Sequence, residues 1–309
     1  MINITAEQFE QLLPFVGAAS EDVFTKAQPS LENVYFDLVA TVIGEEFEDA
    51  ACAEDGPILG NVRSYVILKA FILRLRSNDL IMTDNGFGVV SNENISPASQ
   101  ARVEALLREL TYKQDQQLYG VLNRLRTVEG WSETMQANNN IASFFWSPQA
   151  LRAYSTIRGF VTFDDLAAHR SEIGTAELML RKQFSDSLIE QLLEEERRAQ
   201  YEPFHRNAIV KMCHFIGAHV STKETPADPR YKELTYAAVA NFIEENIDKF
   251  PKYKDSSAYK ANTYSSCSPR DGRSGRPEPT SLPGLPVSGC STRRRTDGSA
   301  RWRPMEARR

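Results

Sequence analysis

From Ser30 onward, apolar residues fall at Leu31, Val34, Tyr35, Leu38, Val39, Val42, Ile43 and Phe47. Steps of three, one and four keep them on one stripe, which predicts an amphipathic helix. Val62 to Leu75 is apolar nearly all round and predicts a central core helix with its neighbours wrapped about it. Ahead of both, Thr5 and Gln8 form a capping-box pattern that opens a short helix ending near Pro14. The segment Leu80 to Val90 breaks this helical pattern. Asn85-Gly86 favours the positive φ angles of a tight turn, and "LIMT" and "FGVV" on either side are rich enough in β-formers to pair as a short hairpin.

Ser96 then reads as an N-cap with Pro97 at the first helical position. Val103, Leu106, Leu107, Leu110, Leu118, Val121, Leu122 and Leu125 extend the predicted helix to about Arg126, with the stripe weakened around Gln114 and Gln117. Residues 130–148 hold turn residues and aromatics without a sustained period, which marks a linker. Beyond it, Thr162 with Asp165 caps a short helix, a long charged helix spans roughly Thr175 to Gln200, Pro203 opens an apolar helix to Val220, and Asp228-Pro229 opens a last one through Phe250. The fold expected is mainly α: a helical lobe with the hairpin over 1–129, a second helical lobe over 149–262, and a disordered tail over 263–309. "ITAEQFEQLL" and "VTFDDLAAHR" resemble the openings of two copies of one unit, though identities are too few to establish duplication.

Composition changes the picture mainly at the C-terminal end. The 309 residues are 41% apolar and 25% charged, the balance of a soluble globular protein, and the net charge is −5. Residues 263–309 carry ten of the 36 basic residues, all Arg, and four of the 41 acids, a net of +6 that leaves −11 upstream. An acidic body repels phosphate and argues against specific nucleic-acid binding by it. From Ser266 the tail contains no Ile, Lys, Asn, Phe or Tyr, so it lacks the apolar residues of a core. It reads either as a natural basic tail that binds nucleic acid or as translation in a shifted frame, the latter favoured because Arg, Pro, Gly and Ser come from GC-rich codons. No apolar run is long enough for a bilayer and "MINITAEQFEQLL" has no leader pattern, so no membrane association is expected. Cys52, Cys213, Cys267 and Cys290 have no paired spacing and are expected as free thiols.

Candidate chemistry is sparse. Cys213, His214 and His219 share a predicted helix, but the two histidines stand about 140° apart around its axis, too far for one metal-binding face. "GFGVV" lacks the third glycine and the strand-to-helix turn of a dinucleotide loop. The common nucleotide-binding, hydrolase and metalloprotease motifs do not occur. "LLEEERRAQ" places acids beside arginines and reads as a solvated face with local ion pairs. Phe144, Phe145 and Trp146 suit either an exposed docking patch or a pin between the two lobes, and the sequence does not separate these readings. No catalytic residue, cofactor or metal is expected.

The stretch from Leu80 carries a resemblance. Leu80, Thr83, Gly86, Phe87, Gly88, Val89, Val90, Ser91, Asn92, Pro97, Ala98, Ser99, Arg102 and Val103 match a phrase of an uncharacterised family of Bacteroides phage and prophage proteins. The opening, with "LENVYFDLVATVIGEEF", is similar in layout, and the likeness extends over roughly residues 1–260 but not over the tail. The resemblance implies a non-enzymatic head-to-tail connector or adaptor, a helical subunit of a ring next to the portal of a tailed phage. Its partners would then be copies of itself and portal, neck or tail proteins, first in the host cytoplasm and then in the virion. The alternative is a bacterial helical protein-interaction module. An isolated hairpin needs something to lie on: on the connector reading Asn85, Gly86, Phe87 and Val89 are interface residues that meet a neighbouring subunit, and the alternative is a hairpin folded back on its own Val62 to Leu75 helix.

Overall fold

The computed structural model describes residues 2–14, 20–75, 80–83, 86–89, 100–222 and 226–266, without the side chains of 20–23, 80–83, 86–89 and 264–266. The chain is mainly helical. Helices α1 (Ala6–Leu12), α2 (Ser20–Leu38), α3 (Glu48–Ala51) and α4 (Leu59–Leu75) lead to strands β1 (Leu80–Thr83) and β2 (Gly86–Val89). Then follow α5 (Gln100–Leu125), α6 (Met135–Asn140), α7 (Pro148–Tyr154), α8 (Phe163–Ala168), α9 (Arg170–Phe184) and α10 (Asp186–Arg198). The last are α11 (Pro203–Gly217), α12 (Pro229–Glu245), α13 (Pro251–Lys254) and α14 (Ser257–Ser266). β1 and β2 are antiparallel, with Leu80 opposite Val89 and Thr83 opposite Gly86. Residues 84–85 of the expected turn, the expected cap at Ser96-Pro97 and the tail beyond Ser266 lie outside the described residues. The readings of the tail as disordered or frameshifted therefore lie outside them too.

Local chemistry explains the element ends. In α1 the Thr5 hydroxyl accepts from the Gln8 amide at 3.2 Å while the Gln8 side chain accepts from the Thr5 amide at 3.1 Å. Thr162 and Asp165 build the same reciprocal cap on α8. The helix expected from Ser30 begins at Ser20 instead and tolerates Pro29 inside it. It ends in a π-helical turn, Val39–Ile43, stopped by Gly44 at φ 88°. Side chains from the expected linker satisfy the carbonyls at this end. Trp131 Nε1 donates to the carbonyls of Val42 at 3.2 Å and Ile43 at 3.0 Å. Gln136 donates to Ala40 O at 3.1 Å and Asn140 to Thr41 O at 2.9 Å. Trp131 is fully enclosed. Trp131→Phe should therefore lower stability by about 1 to 3 kcal/mol, the usual cost of stranding a buried carbonyl, as measured by urea unfolding.

The charged helix expected over 175–200 is two helices. Ser185 adopts φ 76° between α9 and α10, and its hydroxyl caps α10 by accepting from the Leu188 amide at 3.4 Å. Periodicity missed the break because apolar spacing continues across it.

Two apolar clusters lie within one compact unit, residues 1–260; residues 261–309 are assigned to a second unit. In the first cluster α4 packs against α2 and α5, burying Val62, Val66, Ile67, Leu68, Ala70 and Phe71, as a helix apolar on all sides must. The second is centred on α11, which packs against α7, α9 and α12. Residues 130–148 are no exposed linker. They hold a 3-10 turn and α6, they bury Trp131, Ile141, Phe144, Phe145 and Trp146, and the first cluster gives way to the second within them. Among the described residues, no helix is long and apolar enough to cross a membrane.

Candidate functional site

The seam between the clusters is built from the loop that precedes α7. Glu177 of α9 accepts from the Ser143 hydroxyl at 2.7 Å and from the Phe144 amide at 2.9 Å, and Ser143 Oγ in turn accepts from the Phe145 amide at 2.9 Å. Burial pushes the Glu177 carboxyl up. These bonds turn the chain so that Phe144 and Phe145 enter the second cluster while Trp146 enters the first. The three aromatics are 3%, 2% and 7% exposed. They are therefore not an exposed docking patch; they pin the loop between the two cores, because three large rings recover more stability buried than in water.

Trp146 stacks on Tyr119 of α5 with ring centroids 5.4 Å apart, and its Nε1 donates to Glu196 Oε1 at 2.8 Å. The Arg126 guanidinium lies 5.0 Å from the Trp146 ring centroid. Arg126 donates to Glu196 Oε1 at 3.0 Å, to the Glu196 carbonyl through Nε at 2.6 Å, and to the Tyr201 hydroxyl. Tyr201 donates to Glu196 Oε2 at 2.8 Å, and burial together with the Glu196 charge pushes its phenol up to about 12. The Arg126 and Glu196 side chains are only 5% and 12% exposed. Both oxygens of Glu196 are occupied, and the pair sits in a cleft of about 360 Å³ also lined by Tyr154 and Arg206. This arrangement ties α5, the loop before α7 and the end of α10 together.

The "LLEEERRAQ" segment is not a solvated face of local pairs. Glu195 Oε1 lies 2.5 Å from Nδ1 of the buried His205, whose Nε2 lies 3.1 Å from the Lys249 carbonyl oxygen. Arg197 donates to Ile141 O at 3.1 Å, and Arg198 lies 3.4 Å from Glu133. The run thus reaches α5, the seam and α11, contacts remote in sequence that local spacing does not disclose. Its only signal was the density of charge beside buried-type apolar residues.

Cys213 is buried, and burial pushes its thiol well up, away from the reactive thiolate. His214 meets the edge of Tyr154, with ring centroids 5.0 Å apart. His219 donates from Nδ1 to Phe215 O at 2.9 Å, and burial pushes its pKa down. Among the described residues, no group of three or more His, Cys, Asp or Glu is placed to hold a metal ion. Of the hairpin residues, Asn85 lies outside the described residues, and Gly86, Phe87 and Val89 are placed by backbone alone.

The described chain is thus a mainly helical protein of two cores joined at a polar-aromatic seam. Residues 15–141 match the model of a family of unknown function, DUF6712. The match covers less than half of the chain and ends at Ile141, ahead of Phe144 at the seam. No curated protein and no solved structure matches the chain.

Proposed function

We propose that the chain is a non-enzymatic structural subunit of a tailed phage or prophage, a head-to-tail connector that assembles as a ring. The observation that supports this reading is the ladder of β1 and β2, a sheet of two strands that gains no third strand among the described residues. A two-stranded sheet keeps unpaired backbone groups along both outer edges and is marginal by itself in water. A ring in which each subunit offers a neighbour two different surfaces supplies the missing partner by edge pairing or by packing against helices. The family resemblance at Leu80 to Val103 gives the connector role its content.

Mass photometry of the purified full chain tests the proposal. A discrete oligomer is expected, and Phe87→Asp with Val89→Asp should reduce it to monomers of unchanged helix content by circular dichroism. A wild-type monomer at tens of micromolar, or loss of the fold in the variant, would sink the contact role and leave the helical interaction module.

A further inference from the structure

Helix α12 turns one face to the protein and another to solvent. Thr235, Val239 and Ile243 are buried where it packs on α11. On the opposite side Tyr231 is 44% and Leu234 68% exposed, and Ala237, Ala238 and Asn241 are exposed with them. Tyr231, Leu234, Ala238 and Asn241 follow one another at steps of three, four and three, so they form a single stripe along the helix. The charges that flank this stripe run against the dipole of α12. Arg230 stands in the first turn and Glu244 and Glu245 close the last, with no acid in the first turn and no base in the last. A helix favours the reverse, acids at its N-terminal end and bases at its C-terminal end. Among the described residues none of these three side chains is in an ion pair.

We propose that this face pairs with the same face of a second copy of the chain, the two α12 helices lying antiparallel about a two-fold axis between Ala237 and Ala238. An axis at that point sets Arg230 opposite Glu245 of the second copy, Leu234 opposite Asn241, and Ala237 opposite Ala238. Each Arg230 then stands beside a carboxylate and the C-terminal end of the other helix, and each Glu245 beside a guanidinium and an N-terminal end. Charges that oppose the dipole of their own helix thus complement the dipole of its neighbour. The alanines at the axis let the two backbones approach closely, and Leu234 of each copy enters the space beside the other's Ala238. A parallel pair brings Arg230 to Arg230 and Glu245 to Glu245, and like-charge repulsion disfavours it.

The contact is isologous, the same patch on both copies. It differs from the ring contact proposed for the hairpin, which joins two different surfaces, and it does not rest on that reading. A pair of 17-residue helices is small beside a standard protein interface. Pairing is therefore weak, absent from the dilute solutions of mass photometry, and strengthened wherever an assembly holds copies close together.

Sedimentation equilibrium at up to several hundred micromolar tests the pairing, on the full chain carrying Phe87→Asp and Val89→Asp to remove the hairpin contact. A reversible equilibrium between monomer and dimer is expected. Leu234→Glu should abolish it, and Arg230→Glu should weaken it roughly tenfold. Adding Glu245→Arg to Arg230→Glu should restore it, because each reversed charge again meets its opposite across the axis. These three positions are exposed, so helix content by circular dichroism should not change. A chain that stays monomeric, a dimer indifferent to Leu234→Glu, or a charge swap that does not restore pairing overturns the proposal. Should the hairpin variant not fold, the hairpin makes no subunit contact and the same series on the wild-type hairpin gives the answer. A wild-type chain that forms no ring yet pairs through α12 sinks the ring reading alone.

Discussion

Arg126→Ala is expected to lower the unfolding free energy by about 3 to 5 kcal/mol, the usual consequence of removing one partner of a buried ion pair. The side chain makes contacts that nothing else replaces: two points of Glu196, the Tyr201 hydroxyl and the face of Trp146. Its loss leaves the Glu196 carboxylate, 12% exposed, with neutral donors only. The double variant Arg126→Met with Glu196→Leu should recover only part of the loss, because it removes the desolvation cost of both charges but leaves the Trp146 Nε1 and Tyr201 hydroxyl donors without Glu196. Denaturant unfolding followed by circular dichroism measures both. A single change below 1 kcal/mol would show that the Arg126–Glu196 pair is solvated and adds little to the junction.

Gly217→Ala should be comparably damaging, for a steric reason. A Cβ at this position would lie 2.0 Å from the Tyr154 carbonyl oxygen, 2.5 Å from its carbon and 3.2 Å from the Ser155 nitrogen. All three are backbone atoms at the C-terminal end of α7, so no side chain can rotate away and the helix itself must shift. Overpacking of this kind costs about 3 kcal/mol or more. Gly174, inside α9, is the control: an added Cβ there meets nothing within 4 Å. Gly174→Ala should stabilise by roughly 0.5 to 1 kcal/mol through helix propensity and chain entropy. Thermal melts of the two variants should move in opposite directions.

Helices with a regular stripe were legible in the sequence, because their burial follows a period of 3.6 residues. Leu31 through Ile43 and Val62 through Phe71 enter the first core at the positions that spacing indicates. Two kinds of feature were not legible. The break at Ser185 depends on one residue's positive φ, which interrupts no apolar repeat. The joining of the two cores depends on pairs far apart in the chain, such as Arg126 with Glu196, 70 positions away at the seam, and the Asp115 carboxylate with the Phe163 amide, 48 positions away on a different contact. Glutamates in a charge-dense helix suggested local pairing, yet Glu195 and Glu196 are consumed by His205 and Arg126. The pattern FFW announced burial or docking equally, and only the bonds from Glu177 to Ser143 and Phe144 decide which.

The environment of Trp146 has an optical consequence. The chain has three tryptophans: Trp131, enclosed in the first core, Trp146, stacked on Tyr119 and close to the Arg126 guanidinium, and Trp302 near the C-terminus. A neighbouring cation and a hydrogen-bonded carboxylate tune the emission of an indole held this way, so parting the two cores changes its colour and brightness even while every helix stays wound. With Trp302 replaced by Phe and Trp131 as a steady background, the junction would report its own opening in real time, without a label.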